Sequence, residues 1–134
     1  MAPEQKPELL AGIMPFFIVD SLVATISFYV EHLGFHTEMS LPESEPFFAI
    51  LRRDSVSLMV KEIGPDTRPQ PNHTLHSWAP WDAYVHTPNP DILFAEFQEK
   101  GVHFHKPIGD TEDGLRAFEI MDNSGYVLCF GRPN

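Results

Sequence analysis

The chain has 134 residues, is 43% hydrophobic and 12% aromatic, and carries a formal net charge of −10, with an isoelectric point of about 4.9. That length suits one domain, or two small modules sharing one core, and that charge excludes nucleic acid and anionic membranes as partners, since both require a cationic face. The single cysteine rules out an internal disulfide and fits a reducing cytoplasm, and no apolar run approaches the ~20 residues of a membrane span.

The N-terminal stretch MAPEQKPELLAG is polar and lacks the charged-then-apolar build of a signal peptide. GIMPFFIV, from Gly12 to Val19, predicts a buried strand, and Asp20 or Ser21 can cap a following helix. In SLVATISFYVEHLGF the apolar Leu22, Val23, Ile26, Val30 and Leu33 recur at three- and four-residue steps, and Gly34 supplies a left-handed stop. FFAILRRDSVSLMVKE reads as two strands around the turn Arg53-Asp54, with Val56, Leu58 and Val60 on one face and Ser57 and Met59 on the other. IGPDTRPQPNHTLHSWAPW then holds four of the 13 prolines and keeps no steady period. It reads as a linker or flap, with Trp78 and Trp81 near its end. DAYVHT is a strand, and Asn89-Pro90 signals a helix start. DILFAEFQEK is that helix, with Leu93, Phe94 and Phe97 on its buried side and Gly101 as its stop. VHFHK, LRAFEI and YVLCFG are three further strands.

The order strand, helix, strands thus occurs twice, and FYVEHLGF near the end of the first helix is echoed by FAEFQEKGV near the end of the second. The expected fold class is α+β. One module spans residues 12–62 and a second spans residues 80–132, joined by a linker over 63–79.

The stretches PFFIVDSLVATISFYVEHLGF, NPDILFAEFQEKGVHFHKP and LRAFEIMDNSGYVLCFG together resemble the superfamily of glyoxalase, bleomycin resistance protein and extradiol dioxygenase, the vicinal oxygen chelate fold. The ending GLRAFEIMDNSGY is most similar to the bleomycin-resistance branch. The resemblance implies two βαβββ modules whose curved mixed sheets enclose a cavity, and a homodimer with the pocket at or near the subunit interface. It also implies one metal ligand on each of four strands in metal-using members. Carried over, those places fall on Met14, Ser57, Asp82 and Cys129. Of these only Asp82 is an ordinary ligand for a hard divalent metal, so the usual metal centre and any cofactor are expected to be absent, with a divalent metal as the alternative.

Strand alternation, with the resemblance, puts Met14, Phe16, Ile18, Ser57, Met59, Asp82, Tyr84, His86, His105, Glu119 and Cys129 on the cavity side as candidate ligand contacts. A carboxylate near an imidazole can orient it as a general base, which makes His86 and Asp82 the catalytic candidates; the plainer account is a hydrogen-bonded strand surface. Cys129 suits a small apolar filler better than a nucleophile, which needs a base and a lowered pKa. Trp78 and Trp81 form either a lid or the packing of a long loop. His73, His76 and His103 read as solvated imidazoles. Arg52 and Arg116 are surface charges or contacts to an anionic ligand.

Three functions fit these residues. The first is a cytoplasmic, homodimeric small-molecule-binding protein without a metal centre. The second is a lyase, isomerase or dioxygenase of the same superfamily with an altered active site. The third is a domain that uses the fold for interaction alone.

Overall fold

The structure, a computed structural model, describes residues 6–134; the first five residues of the polar N-terminal stretch lie outside it. Its elements are β1 (Phe16–Val19), α1 (Leu22–Leu33), β2 (His36–Leu41), β3 (Phe48–Arg53), β4 (Val56–Glu62), α2 (Asn72–Leu75), β5 (Ala83–His86), α3 (Pro90–Glu99), β6 (Phe104–Asp110), β7 (Leu115–Met121) and β8 (Val127–Pro133). They form two four-stranded mixed sheets, ordered β1-β4-β3-β2 and β5-β8-β7-β6. In each sheet the first strand runs parallel to the last and the other pairs are antiparallel. This is the βαβββ unit twice over, in an α+β fold.

Local chemistry sets the helix ends. The Ser21 side chain accepts a hydrogen bond from the Ala24 N–H at 3.1 Å, and Gly34, at φ 75°, ends α1. A side chain at Gly34 would also collide with the Arg53 guanidinium. α3 begins with Asn89 and Pro90 as expected, but the Asn89 side chain makes no capping bond. The ring of Pro90, already at a helical φ, fits the first turn without one.

Three details depart from the sequence reading. β1 starts at Phe16 rather than Gly12, so Met14 precedes the strand. The edge strand β2, which the βαβββ resemblance implies, was not singled out by its own sequence pattern, and the four-residue α2 was not expected. β2 is almost wholly exposed, so no buried face imprints alternation on HTEMSL.

Each helix covers one sheet face. Phe17, Val19, Leu51, Leu58 and Val60 lie under α1, and Phe118, Ile120, Leu128 and Phe130 lie under α3, all in one continuous core that also takes in Tyr29, Phe35, Phe97 and Tyr126. The two modules are joined through this core. Phe17 stacks on Tyr126 with ring centroids 4.4 Å apart, and the Tyr126 hydroxyl donates to the Ile18 carbonyl. At the other end Arg53 makes a two-pronged pair with Glu96, at 2.6 and 2.9 Å, while also donating to the Leu33 carbonyl.

The most buried polar link is Tyr29 to Asp122. The Tyr29 hydroxyl donates to Asp122 at 2.7 Å, and the carboxylate also accepts the backbone N–H groups of Ser124 and Tyr126. Burial outweighs these three donors and pushes the Asp122 carboxyl up to about 6, with the charge of Asp82 adding to the push. The folded pKa then lies above the unfolded one, so the folded chain holds the extra proton between about pH 4 and pH 6. The stability contributed by this group is full below that window and is lost as pH rises through it, by at most about 1.4 kcal/mol per pH unit. Urea unfolding of the wild type and Asp122→Asn across pH 4 to 7 checks this. The wild-type advantage should shrink with rising pH and level off above about pH 6; an advantage that grows with pH contradicts it.

Candidate functional site

The second sheet leaves its helix-free face open, and the pairing register shows what lies on it. One row runs Tyr84, Cys129, Glu119 and Lys106, and the next runs His86, Gly131, Ala117 and Gly109. The second row is nearly bare of side chain at its centre. A Cβ on Gly131 would meet the Ala117 methyl at 2.6 Å, so only glycine fits there. Small residues on the floor leave room above it. A cavity of about 930 Å³ stands over Ala117, Glu119 and Cys129, walled by Trp78 to Trp81 on one side and by Lys106 to Asp113 on the other.

The Trp wall is held by Asp82. One oxygen of its carboxylate accepts the Asn72 N–H and the other accepts the Val127 N–H, each at 2.8 Å. The Asn72 side chain donates to the Trp81 carbonyl at 2.7 Å, and His73 Nε2–H donates to the Gly125 carbonyl at 2.8 Å. Trp81 then stacks on Tyr84 and its indole N–H donates to Glu119 Oε2 at 2.8 Å.

Glu119 is the unusual group. It is only 6% exposed, and its Oε1 has no hydrogen-bond partner among the described residues. The nearest basic groups stand off at 3.9 Å, the His105 imidazole from Oε1 and the Lys106 ammonium from Oε2. A buried acceptor left unpaired costs about 1–3 kcal/mol. A register shift in β6 between Phe104 and Lys106 is what lets two consecutive side chains, His105 and Lys106, approach one carboxylate. Cys129, fully buried beside it, has its thiol pushed up to about 12, chiefly by burial and then by the charge of Glu119.

The other residues singled out in the sequence are scattered. Phe16, Ile18 and Met59 share the helix-free face of the first sheet with Ile50, Phe48, Met39 and Leu41, as the register shows. Phe16 is 51% and Leu41 48% exposed, and no element among the described residues covers them. Ser57 is half-buried on β4, and Met14 is exposed. His86 is exposed at the end of β5 on the same helix-free face, where it also borders a cleft of about 460 Å³ at the module junction with Arg53, Glu96 and Phe97. Among the described residues no hydrogen bond or ion pair joins Asp82 to His86, and both Asp82 oxygens are taken by backbone N–H groups. Sequence reasoning missed Lys106 and the acidic turn Asp110 to Asp113; the DTEDG string was the available signal.

The places implied for a metal do not fit one. Both oxygens of Asp82 are taken by backbone N–H groups, the Cys129 thiol stays protonated, and Met14 is a poor ligand for a hard divalent ion. The register pairs Tyr84 with Cys129 and Phe16 with Met59, so Cys129 corresponds to Met59 in the first module rather than to Ser57. No group of three or more His, Cys, Asp or Glu among the described residues could hold an ion.

The family model described as the Glyoxalase/Bleomycin resistance protein/Dioxygenase superfamily matches residues 12–130. The chain belongs to this superfamily. Among solved structures of the superfamily's fold, the bleomycin-binding protein of bleomycin-producing Streptomyces verticillus, complexed with copper(II)-bleomycin, is 21% identical, with 96% of this chain and 100% of that one covered and a TM-score of 0.69. An antibiotic-binding protein from Streptomyces sp. CB03234 is 20% identical over 95% of this chain and 100% of that one, at a TM-score of 0.67. A superfamily member from Alicyclobacillus acidocaldarius is 17% identical, covering 90% and 89%, at 0.73. Identities of this size establish the shared fold. No curated protein sequence matches the chain.

The placement of Cys129 gives a test. A buried thiol with a pKa this high reacts poorly, because the thiolate is the nucleophile. At pH 8 the native protein should react with 5,5′-dithiobis(2-nitrobenzoate) at least ~100-fold more slowly than the urea-unfolded chain. Rapid stoichiometric labelling of the native protein contradicts the placement.

Proposed function

We propose that this chain is a small-molecule-binding protein that holds a partly apolar ligand over Ala117, Glu119 and Cys129 without converting it, and that it does so as a homodimer. The observation that carries this reading is the cavity itself, about 930 Å³, with an apolar floor, two indoles and one buried carboxylate. Such a mix holds a small molecule by burial and orients it with few polar groups. Two relatives of the same fold are an antibiotic-binding protein and a bleomycin-binding protein, which agrees with this reading.

The absence of assembled chemistry supports binding over catalysis. Asp82 is committed to backbone N–H groups, no hydrogen bond among the described residues joins it to His86, and the Cys129 thiol stays protonated. The competing reading, a lyase, isomerase or dioxygenase with an altered centre, has one observation in its favour: the His105 imidazole 3.9 Å from the Glu119 carboxylate, the raw material of an acid–base pair. The lone buried thiol fits a reducing cytoplasm, and among the described residues no helix is long and apolar enough to cross a membrane.

Dimerisation follows from the bare face of the first sheet. An exposed apolar sheet face of this kind marks an interaction surface, and a second copy laying its Phe16, Ile18 and Met59 face over the open cavity would bury both at once. Ligand contacts are then shared between the Tyr84, His105, Glu119 and Cys129 side of one copy and the first-sheet face of the other. Sedimentation at micromolar concentration should give twice the 15.2 kDa chain mass, and Phe16→Glu should yield folded monomer with weakened ligand binding. Both tryptophans of the chain wall the cavity, so bleomycin and other antibiotics can be screened by a saturable change in indole emission. A monomeric wild type would overturn the dimer and its shared pocket, and stoichiometric bound metal with no saturable ligand response would replace the binding reading with the enzymatic one.

A further inference from the structure

The cavity is not electrically neutral. Its acidic side chains are Glu119 on the floor and Asp110, Glu112 and Asp113 on the wall, against the single ammonium of Lys106. Arg116 draws off part of the charge of Asp110, at 3.5 Å, but Arg116 itself lies outside the lining. An acidic rim alone proves little, since exposed carboxylates are commonplace. The floor adds a second, independent sign. Glu119 is 94% buried by exposure of 6%, and one of its two oxygens has no donor. Folded proteins seldom leave a buried acceptor unpaired. An unfilled acceptor at the base of a cavity, with indoles beside it, has the chemistry of half a contact.

Building on the ligand-binding reading above, we infer that Glu119 is the anchor for a cationic nitrogen, so that the ligand class is an aromatic or otherwise flat apolar molecule carrying a protonated amine or amidine. Three features set that choice. The open Glu119 Oε1 accepts and cannot donate while ionised, so the complementary group is a donor, and a charged donor makes the stronger bond. Trp81 donates to Oε2 through its indole edge, which fixes the carboxylate plane, and the indole faces of Trp78 and Trp81 attract cations. The acidic wall raises the local concentration of cations and repels anions. In the free chain Oε1 is shut off from solvent, with the His105 imidazole at 3.9 Å. Binding therefore requires a side-chain rearrangement that uncovers Oε1, and His105, which packs beside His73 and makes no hydrogen bond among the described residues, is the neighbour placed to move.

The test uses full-length protein and three matched probes in calorimetric titration: 2-naphthylmethylammonium, its neutral N-acetyl amide, and 2-naphthoate. The amine should bind at least about tenfold tighter than the amide, the scale of one charge-assisted hydrogen bond, and the naphthoate weakest of all. Glu119→Gln keeps an oxygen for the Trp81 indole and removes the charge; it should bring amine and amide to within about twofold. Should that variant fail to fold, Lys106→Met on the 65% exposed lysine removes the competing cation instead, and should tighten the amine alone by a few-fold. If the amide binds as well as the amine in the wild type, the cavity binds ligands and the charge assignment is wrong. If Glu119→Gln retains the full preference, or Lys106→Met leaves the amine unchanged, Glu119 is not the anchor. If none of the three probes binds, this inference falls, while the antibiotic screen and the dimer measurement still decide the broader reading.

Discussion

Each module of this protein has one helix for a sheet with two faces. That shortage governs the rest of the molecule. A four-stranded sheet must cover an apolar face to be stable in water, and α1 and α3 each cover one. What remains are two helix-free faces, and the chain treats them differently. On the second sheet the proline-rich segment folds back as a partial cover, with Trp81 leaning on Tyr84 and reaching Glu119. On the first sheet Phe16, Met39 and Leu41 stay in the open. One surface is an open cavity and the other is a bare apolar face.

The relation between the two sheets is held at both ends of the junction by polar groups set in apolar surroundings. At one end, the Asp122 carboxylate closes its own turn through Ser124 and Tyr126 and takes the Tyr29 hydroxyl from the other module. At the other, Arg53 joins Glu96 to the Leu33 carbonyl at the end of α1. Apolar contact alone, such as the stacking of Phe17 on Tyr126, would favour association without fixing an angle. Hydrogen bonds with a defined direction specify how the modules meet, which in turn sets where each open face points.

Asp82 shows how architecture consumes a residue of a type that chemistry also uses. Its type and strand position suit a metal or a catalytic role, yet both oxygens hold backbone, one in the loop and one at the start of β8. The clamp places Trp81, and Trp81 orients Glu119. The functional interest therefore moves from the four places that the resemblance implied to a neighbouring strand, where a carboxylate is buried without being fully satisfied. Small floor residues, Gly131 and Ala117 among them, make the space that gives this carboxylate something to face.

The sequence by itself determined the two modules, the helix starts and stops, and the core stripes. Those features rest on local signals: Ser21 and Gly34 bounding α1, Asn89-Pro90 opening α3, and alternation in β4, β7 and β8. It also determined that Cys129 and Glu119 share a face, because neighbouring strands were buried enough to print a clear period of two. The edge strand β2 carried no such print, since it buries nothing. The shift in β6 that brings His105 and Lys106 to one carboxylate breaks the very alternation on which a sequence reading depends. Tertiary structure alone decided that Asp82 clamps a loop and that Trp81 meets Glu119 38 residues away. Each of these depends on which side chain stands opposite a given atom in space. Periodicity tells a residue's face, and only the packed chain tells its partner.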